Sequence, residues 1–199
     1  MRAVLGVRVR FVPARITDDS LLENSSLMKA SLSFRPLERS DFPLLQEWLS
    51  APHVAAWWNE RLDLSGVEAK YGPRVDGTEP TYMFVIEQEA WPIGWIQWYL
   101  WYDYPEHARQ LGAEPTSAGV DLAIGELSMT GLGLGPVIIR QFLDQFIFTN
   151  SRICAVVADP EESNLRSLHA FRKAGFNLVN TVQLAGEGFT RQVVRLDRS

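Results

Sequence analysis

Seven short segments carry the two-residue periodicity or the dense apolar content that is typical of strands. The clearest is residues 81–88, where Tyr82 and Phe84 alternate with Met83 and Val85. Strands are predicted over residues 32–37, 81–88, 93–102, 118–124, 152–158, 178–184 and 190–196.

Four helices are predicted from apolar spacings of three and four residues and from residues that favour helix ends. Ser40-Asp41 caps the first, which runs to Leu49 and stops before Pro52. The other three cover residues 65–71, closed by Gly72-Pro73, residues 136–148, and the segment after Asn164 as far as Lys173. A turn is expected at Trp91-Pro92 and a polar loop over residues 103–117. The order β-α-α-β-β-β-α-β-α-β-β predicts an α/β fold with a mixed sheet, antiparallel strands first and one crossover helix near its middle.

Composition indicates one domain with an added N-terminal segment. The 199 residues are enough for a substantial core, and the net charge of −5 does not suggest a nucleic-acid partner. Residues 1–30 are expected to be an extension, either disordered or a leader, ahead of a domain over residues 31–199. No stretch has the apolar length of a membrane span or the pattern of a signal peptide. The single cysteine, Cys154, is predicted to be buried in a strand, and it permits no internal disulfide, which favours the cytoplasm.

A glycine-rich loop precedes the third predicted helix. Gly131, Gly133 and Gly135 alternate with other residues, and Pro136 suits the first helical turn. Glycines allow a ligand to approach the backbone, and a helix N-terminus offers free N–H groups, so the segment is a candidate phosphate site. It lacks the Gly-Lys-Ser/Thr ending of an ATP-binding loop, and a plain glycine-rich turn remains the alternative.

Two elements together resemble the acyl-CoA-binding half of the GNAT superfamily of N-acetyltransferases. The first is the strand, glycine loop and helix, and the second is the run from Asp159 to Phe176, with Asn164-Leu165-Arg166-Ser167 and Lys173-Ala174-Gly175-Phe176. The resemblance covers residues 31–197. It implies a mostly antiparallel sheet flanked by helices, a splay between two central strands, and acetyl-CoA as co-substrate.

Within that superfamily the chain is most similar to aminoglycoside 6′-N-acetyltransferases. The similarity rests on the motif from His53 to Trp57-Trp58, on Gly119-Val120-Asp121 and on Asp159-Pro160. Siderophore-type N-acyltransferases share a His…Trp-Trp element. The resemblance implies direct acetylation of the 6′-amino group of a cationic aminoglycoside, and hence antibiotic resistance. Acetylation of a protein N-terminus or a siderophore amine, and a silent acyl-CoA-binding module, remain the alternatives.

The resemblance also implies the residues that bind the cofactor. Backbone groups of the loop would hold the pyrophosphate, a backbone N–H near Leu122 to Ile124 would meet the reacting oxygen, and Asn164 would contact the pantetheine arm. The cofactor set is Leu122, Ile124, Thr130, Gly131, Leu132, Gly133, Leu134, Gly135, Pro136, Asn164 and Phe171. The chain departs from the family twice: no basic side chain lies in the loop, and Phe171 replaces a tyrosine that protonates the leaving thiolate in many relatives.

Asp121 is the first candidate for catalysis, mainly because its place matches that of a catalytic residue in the family. Its carboxylate can accept the proton that an attacking amine must lose, or it can hold the cationic amine electrostatically. The alternative is a solvated aspartate on a strand. Asp159 and Asp103 are candidate anions for the ammonium groups of the substrate, although Asp159 could also cap a turn. The aromatic candidates for the substrate site are Trp57, Trp58, Tyr71 and Tyr104, with one tryptophan of the pair lining the cleft and the other buried.

The remaining predictions concern metals and assembly. His53, His107 and His169 lack the spacing of metal ligands, so no metal is expected. We expect a small cationic substrate, neither nucleic acid nor membrane as partner, and either a monomer or a homodimer.

Overall fold

The computed structural model describes residues 32–58, 60 and 62–198, so the predicted extension over residues 1–30 lies outside the described residues. This part of the chain forms seven strands and six helices. They are β1 (Leu32–Pro36), α1 (Phe42–Ser50), α2 (Pro52–Trp58), α3 (Leu64–Val75), β2 (Thr81–Gln88), β3 (Trp91–Leu100), α4 (Pro105–Leu111), β4 (Ala118–Ile124), α5 (Leu134–Phe142), β5 (Ala155–Ala158), α6 (Leu165–Lys173), β6 (Asn177–Val182) and β7 (Arg191–Asp197).

One sheet contains all seven strands in the order β1-β2-β3-β4-β5-β7-β6. Every neighbouring pair is antiparallel except β4 and β5, which run parallel across the α5 crossover. Those two strands pair at two positions only, Ala118 with Val156 and Gly119 with Val157. Beyond Gly119, β4 continues to Ile124 and stays paired with β3 alone. The splay that the GNAT resemblance implies is therefore confirmed.

Apolar side chains cover both faces of the sheet. On one face α5 and α6 bury a cluster that includes Ile138, Phe142 and Phe171. On the other face α1, α2 and α3 pack around Trp48 and Trp95, whose rings stack with centroids 6.1 Å apart. None of the described helices is long and apolar enough to cross a membrane.

Two helices were absent from the sequence-based prediction. Both α2 and α4 begin with a proline, Pro52 and Pro105, at a place where the sequence predicted a helix end or a loop. Proline disrupts a helix when it lies in the interior. It is favourable in the first turn, because backbone N–H groups there have no partner within the helix and the missing N–H of proline costs nothing. The same ambiguity misplaced the end of α3, which continues through Pro73 to Val75; Gly77 follows with a φ of 71°.

Smaller corrections concern β3, α5 and β5. The β2–β3 turn is formed by Glu89 and Ala90, both with positive φ, so Trp91 and Pro92 belong to β3. The helix expected over residues 136–148 begins at Leu134 and changes to a π-helical turn over Leu143–Ile147. Cys154 was predicted to be buried in a strand. That prediction is wrong: Cys154 is exposed just before β5, with its sulfur 3.2 Å from Thr116 Oγ1.

Candidate active site

A cleft of about 180 Å³ opens beside the splay, on the sheet face that carries Asp121. Strands β2, β3 and β4 form its floor, and α3 and α4 supply side chains around it. The side chains that line it are Arg74, Thr81, Gln97, Tyr99, Trp101, Tyr104, His107 and Asp121. Two of the predicted site residues, Asp121 and Tyr104, are therefore brought together here.

The carboxylate of Asp121 faces an amide rather than a cation. Gln97 is its partner across the β3–β4 pair, and Gln97 Nε2 donates a hydrogen bond of 3.0 Å to Asp121 Oδ2. The pKa of Asp121 is raised to about 6, chiefly because the surrounding protein excludes water from the charged form; the hydrogen bond from Gln97 opposes this rise, and the charge of Asp159 adds to it. Asp121 is therefore a better proton acceptor than an ordinary aspartate.

Aromatic rings form the walls of the cleft. Tyr99 lies over Gly119, and its phenol pKa is raised well above the usual value by burial and by the nearby carboxylates, first Asp121 and then Asp159. Tyr104 packs edge-on against Tyr99 with ring centroids 4.9 Å apart, and its hydroxyl is 2.6 Å from Thr81 Oγ1. Both phenols are neutral at physiological pH, so each can donate or accept a hydrogen bond.

Asp159, the second predicted anion, follows β5 and is buried. Its Oδ2 lies 3.2 Å from His107 Nε2 and 3.4 Å from a guanidinium nitrogen of Arg191. Arg191 in turn forms two hydrogen bonds of 2.7 Å to Glu187. The charge of Asp159 is thus shared with two basic groups, whereas no cation of the described residues hydrogen-bonds to Asp121.

A wider hollow of about 360 Å³ adjoins the cleft. It lies between α4 and the segment that joins β6 to β7, and it shares Tyr104 and His107 with the cleft. Leu184 and Glu187 form part of its far side. The two spaces together offer room for a substrate larger than a single amine-bearing group.

The other predicted substrate residues lie outside the cleft lining. Tyr71 is fully buried, and its hydroxyl donates to Glu60 at 2.8 Å and accepts from Trp58 Nε1 at 3.1 Å. Trp58 is partly buried against Trp95, and Trp57 is exposed on α2. Asp103 lies exposed in the single helical turn after β3.

The glycine loop leads directly into the N-terminus of α5 and contains two residues with positive φ. Gly131 and Gly133 have φ values of 75° and 77°, and Gly133 is the residue immediately before α5. No hydrogen bond is formed by the amides of residues 131–133 within the described ranges, and the first amides of α5 point out of the helix end. Thr130 Oγ1 donates to the Leu127 carbonyl at 2.8 Å, and Leu132 is exposed. These residues fit the pyrophosphate of coenzyme A through backbone groups and the helix dipole.

The remaining cofactor candidates lie around the splay and at α6. Leu122 and Ile124 are on the part of β4 beyond its pairing with β5, and His53 Nε2 is 3.1 Å from the Ile124 carbonyl oxygen. Asn164 caps α6 by accepting a hydrogen bond of 3.1 Å from the Ser167 amide, which leaves its NH₂ group available to a ligand. Phe171 is buried against Phe176.

Six residues of the cleft were not predicted as site residues: Arg74, Thr81, Gln97, Tyr99, Trp101 and His107. Gln97 offered a signal, since it is a polar residue inside the apolar run of β3, and buried polar groups require partners. Within the part of the chain that the structure describes, no three acidic, histidine or cysteine side chains are grouped to hold a metal ion.

Comparison with known proteins places this geometry in a family. The model of the acetyltransferase (GNAT) domain matches residues 38–184. The aminoglycoside N(6′)-acetyltransferase type 1 of Klebsiella pneumoniae is 29% identical over 170 residues, which cover 84% of this chain and 83% of that protein. The lysine N-acyltransferase MbtK of Mycolicibacterium paratuberculosis is 22% identical over 143 residues, covering 72% of this chain and 64% of that protein.

A solved structure agrees with these sequence matches. The crystal structure of aminoglycoside acetyltransferase AAC(6′)-Ib in complex with coenzyme A and kanamycin has a TM-score of 0.72 and 26% identity to this chain, and the match covers 84% of this chain and 95% of that one. The family match spans most of the chain and includes the splay and the glycine loop. This protein therefore belongs to the GNAT acetyltransferase family.

Proposed function

We propose that this protein transfers the acetyl group of acetyl-CoA directly to the 6′-amino group of an aminoglycoside antibiotic, and so confers resistance. The observation that carries the proposal is the Asp121 carboxylate, which faces a cleft beside the splay and has its pKa raised to about 6. The 29% identical relative from Klebsiella pneumoniae and the kanamycin complex of a 26% identical protein support the choice of acceptor.

Asp121 would act on the acceptor amine. The amine arrives as an ammonium ion, and the carboxylate attracts it and accepts its proton, directly or through a water molecule. The neutral nitrogen then bonds to the thioester carbonyl carbon while the carbon–sulfur bond breaks, and the nitrogen releases its second proton to solvent, which leaves the neutral amide. Acetyl-CoA supplies the activated acyl group, and the thiolate is a tolerable leaving group because a thiol has a pKa of about 8.5. The buried phenyl ring of Phe171 has no proton to give, so thiolate protonation falls to water or another group.

Direct transfer is supported by the position of the only cysteine. Cys154 is exposed, which by itself would permit an acyl-enzyme. It lies before β5, however, and Asp159 follows the same strand, so the two are separated by roughly 16 Å at 3.3 Å per residue. The sulfur is therefore remote from the cleft.

The surroundings of Asp121 suit a polyhydroxylated, cationic acceptor. Tyr99 and Tyr104 both line the cleft, and aromatic rings can pack against sugars and attract ammonium groups, while phenol hydroxyls can bond to the hydroxyls of a substrate. The adjoining hollow of about 360 Å³ could take a further ring of the acceptor. Removal of one positive charge by acetylation would weaken the binding of such a drug to ribosomal RNA.

The test is acetyl transfer by the purified protein to kanamycin, with free lysine and an unblocked peptide as competing acceptors. We expect thiol release that depends on kanamycin, with a product whose mass and fragmentation place one acetyl group on the 6′-amine. Thiol release with lysine or peptide alone would instead assign a siderophore-like or protein substrate. Coenzyme A binding without thiol release for any amine would indicate a silent acyl-CoA-binding module.

A further inference from the structure

Arg74 imposes a single orientation on the amide of Gln97. The guanidinium has only donors, and one of its terminal nitrogens donates 2.9 Å to Gln97 Oε1. The oxygen of the amide must therefore face Arg74, which leaves Nε2, also only a donor, facing Asp121 Oδ2 at 3.0 Å. A reversed amide would place two donors against each other at Arg74 and two acceptors against each other at Asp121.

Besides Gln97, the Arg74 side chain contacts Glu79 and Tyr71, and these three contacts hold it in place. Its Nε donates 2.9 Å to Glu79, its guanidinium lies 5.2 Å from the centre of the Tyr71 ring, and its side chain is only 16% exposed. Tyr71 is fully buried and bonded to Glu60 and Trp58. A row of contacts thus runs from the core beneath α3, through Arg74 and Gln97, to Asp121.

We propose that Arg74 and Gln97 are positioning residues for Asp121, which hold its carboxylate in place as an acceptor of the substrate's proton. Gln97 is buried on the floor of the cleft and bonds to Asp121 itself, whereas Arg74 acts through Gln97. The proposal also gives Tyr71 a role, as the surface on which Arg74 rests. The expected kinetic effects rest on the proposed function. The effect of Arg74 and Gln97 on the proton affinity of Asp121 can be measured without any substrate.

The direction of that effect follows from the groups that face Asp121. Burial and Asp159 raise its pKa, while Gln97, Arg74 and His107 lower it; the Tyr99 phenol and the Arg191 guanidinium also interact with this carboxylate. Loss of the Gln97 donor or of the Arg74 charge removes a lowering influence. The pKa of Asp121 must then rise above about 6 in either variant.

The first measurement is an NMR titration of the Asp121 side-chain carbon, assigned by its absence in Asp121→Asn. The variants are Gln97→Met, which keeps the length of the side chain but has no donor, and Arg74→Met. Arg39→Met is the matched control, since Arg39 also contacts α3 and forms an ion pair, with Asp76, but does not touch Gln97. We expect higher midpoints for both test variants and the wild-type midpoint for the control. Wild-type midpoints in Gln97→Met and Arg74→Met would overturn the proposal.

The second measurement is acetyl transfer to kanamycin as a function of pH. Both test variants should show a kcat about tenfold lower, because a misplaced catalytic group loses reactive geometry, and a rising limb of the pH profile moved to higher pH. Arg74→Lys keeps the charge and should recover part of the shift. If the wild type does not acetylate kanamycin, the proposed function fails while the titration still decides the inference. If Asp121→Asn is inactive but Gln97→Met has wild-type kcat and pH profile, the inference alone fails.

A variant that unfolds is separated from one that lacks the hydrogen bond by its thermal melt. Gln97→Glu provides a second route, since it keeps the shape of the side chain and can still pair with Arg74. It places an acceptor and a negative charge against Asp121, so the midpoint of Asp121 should rise further than in Gln97→Met. A midpoint for Asp121 in Gln97→Glu that is equal to or below the wild-type midpoint would overturn the proposal.

Discussion

The ring of Tyr99 occupies the space that a side chain at Gly119 would need. The two residues are direct partners across β3 and β4, and a Cβ built on Gly119 would stand 2.3 Å from Tyr99 Cε2 and 2.8 Å from its hydroxyl oxygen. Gly119 is also the last residue of β4 that pairs with β5. The Tyr99 ring therefore lines the cleft at the point where β4 and β5 begin to separate.

Gly119→Ala should therefore destabilise the protein by about 1–3 kcal/mol, as overpacking of a filled site does. Chemical denaturation measures the loss. Gly188→Ala, where nothing lies within 4 Å of the added Cβ, is the control and should change stability by less than about 0.5 kcal/mol. In a Tyr99→Ala background the Gly119 substitution should cost much less; an equal cost in both backgrounds would show that the two residues do not compete for space.

Asp121→Asn should make the protein more stable at alkaline pH while removing its activity. The pKa of Asp121 is raised from the ordinary 3.8 to about 6 on folding, so the folded state binds this proton more tightly than the unfolded chain. That contribution to stability is fully present below about pH 4 and is lost as the pH rises through 6. Relative to wild type, the variant should gain on the order of 3 kcal/mol at pH 8 and close to nothing at pH 4.

Asp41 provides the control, because its pKa is shifted in the opposite direction to that of Asp121. The pKa of Asp41 is lowered, first by its hydrogen bonds with Arg35, so its charge stabilises the fold above the unfolded pKa. Asp41→Asn should consequently lose more stability at pH 8 than in strong acid. A stability change for Asp121→Asn that is the same at pH 4 and pH 8 would be inconsistent with a raised pKa.

His107 should make the protein more stable in mild acid. The hydrogen bond to Asp159 raises the pKa of His107 more than burial lowers it, so this stabilisation is present below the unfolded value of about 6.5 and is lost as the pH rises through the folded value. His107→Gln should lower the melting temperature more at pH 6 than at pH 9. The effect should stay under about 1 kcal/mol, since the imidazole is partly exposed. A loss of melting temperature in His107→Gln that is equal at pH 6 and pH 9 would contradict a raised pKa for His107.

Gly133→Ala should weaken coenzyme A binding about tenfold, because a Cβ at a φ of 77° strains the loop by 1–2 kcal/mol and shifts its amides. Gly112→Ala is a close control: its φ is 72°, no atom lies within 4 Å of the added Cβ, and it follows α4 away from the loop. Both variants should lose similar stability, and calorimetric titration with coenzyme A should detect weaker binding in Gly133→Ala only. Equal affinities of the two variants for coenzyme A would show that the glycine loop does not bind the cofactor.

The sequence predicted elements whose pattern is local. Residues 81–88 and 118–124 became β2 and β4 at the same bounds, because each is an apolar segment that a turn or a polar loop interrupts on either side. Helices α2 and α4 were missed because a proline at a helix start looks like a proline that breaks one. The turn at Glu89 and Ala90 lacks the glycine or asparagine that usually marks positive φ.

The residues of the candidate site also fall into those that a local pattern predicts and those that it does not. Asp121 and the glycine loop could be predicted from their places in motifs that carry the family resemblance. Arg74, Gln97 and His107 could not, because they come from α3, β3 and α4 and meet only when the sheet and helices pack. The sharing of Asp159 between His107 and Arg191 is likewise a product of tertiary structure.

We propose above that Asp121 accepts the proton of an aminoglycoside amine next to bound acetyl-CoA. The most direct test is the kcat for acetyl transfer to kanamycin in Asp121→Asn and in wild type at saturating acetyl-CoA, with coenzyme A affinity measured for both. A kcat lower by about a hundredfold or more with unchanged coenzyme A affinity is the expected result. A variant that acetylates kanamycin as fast as wild type would contradict the account.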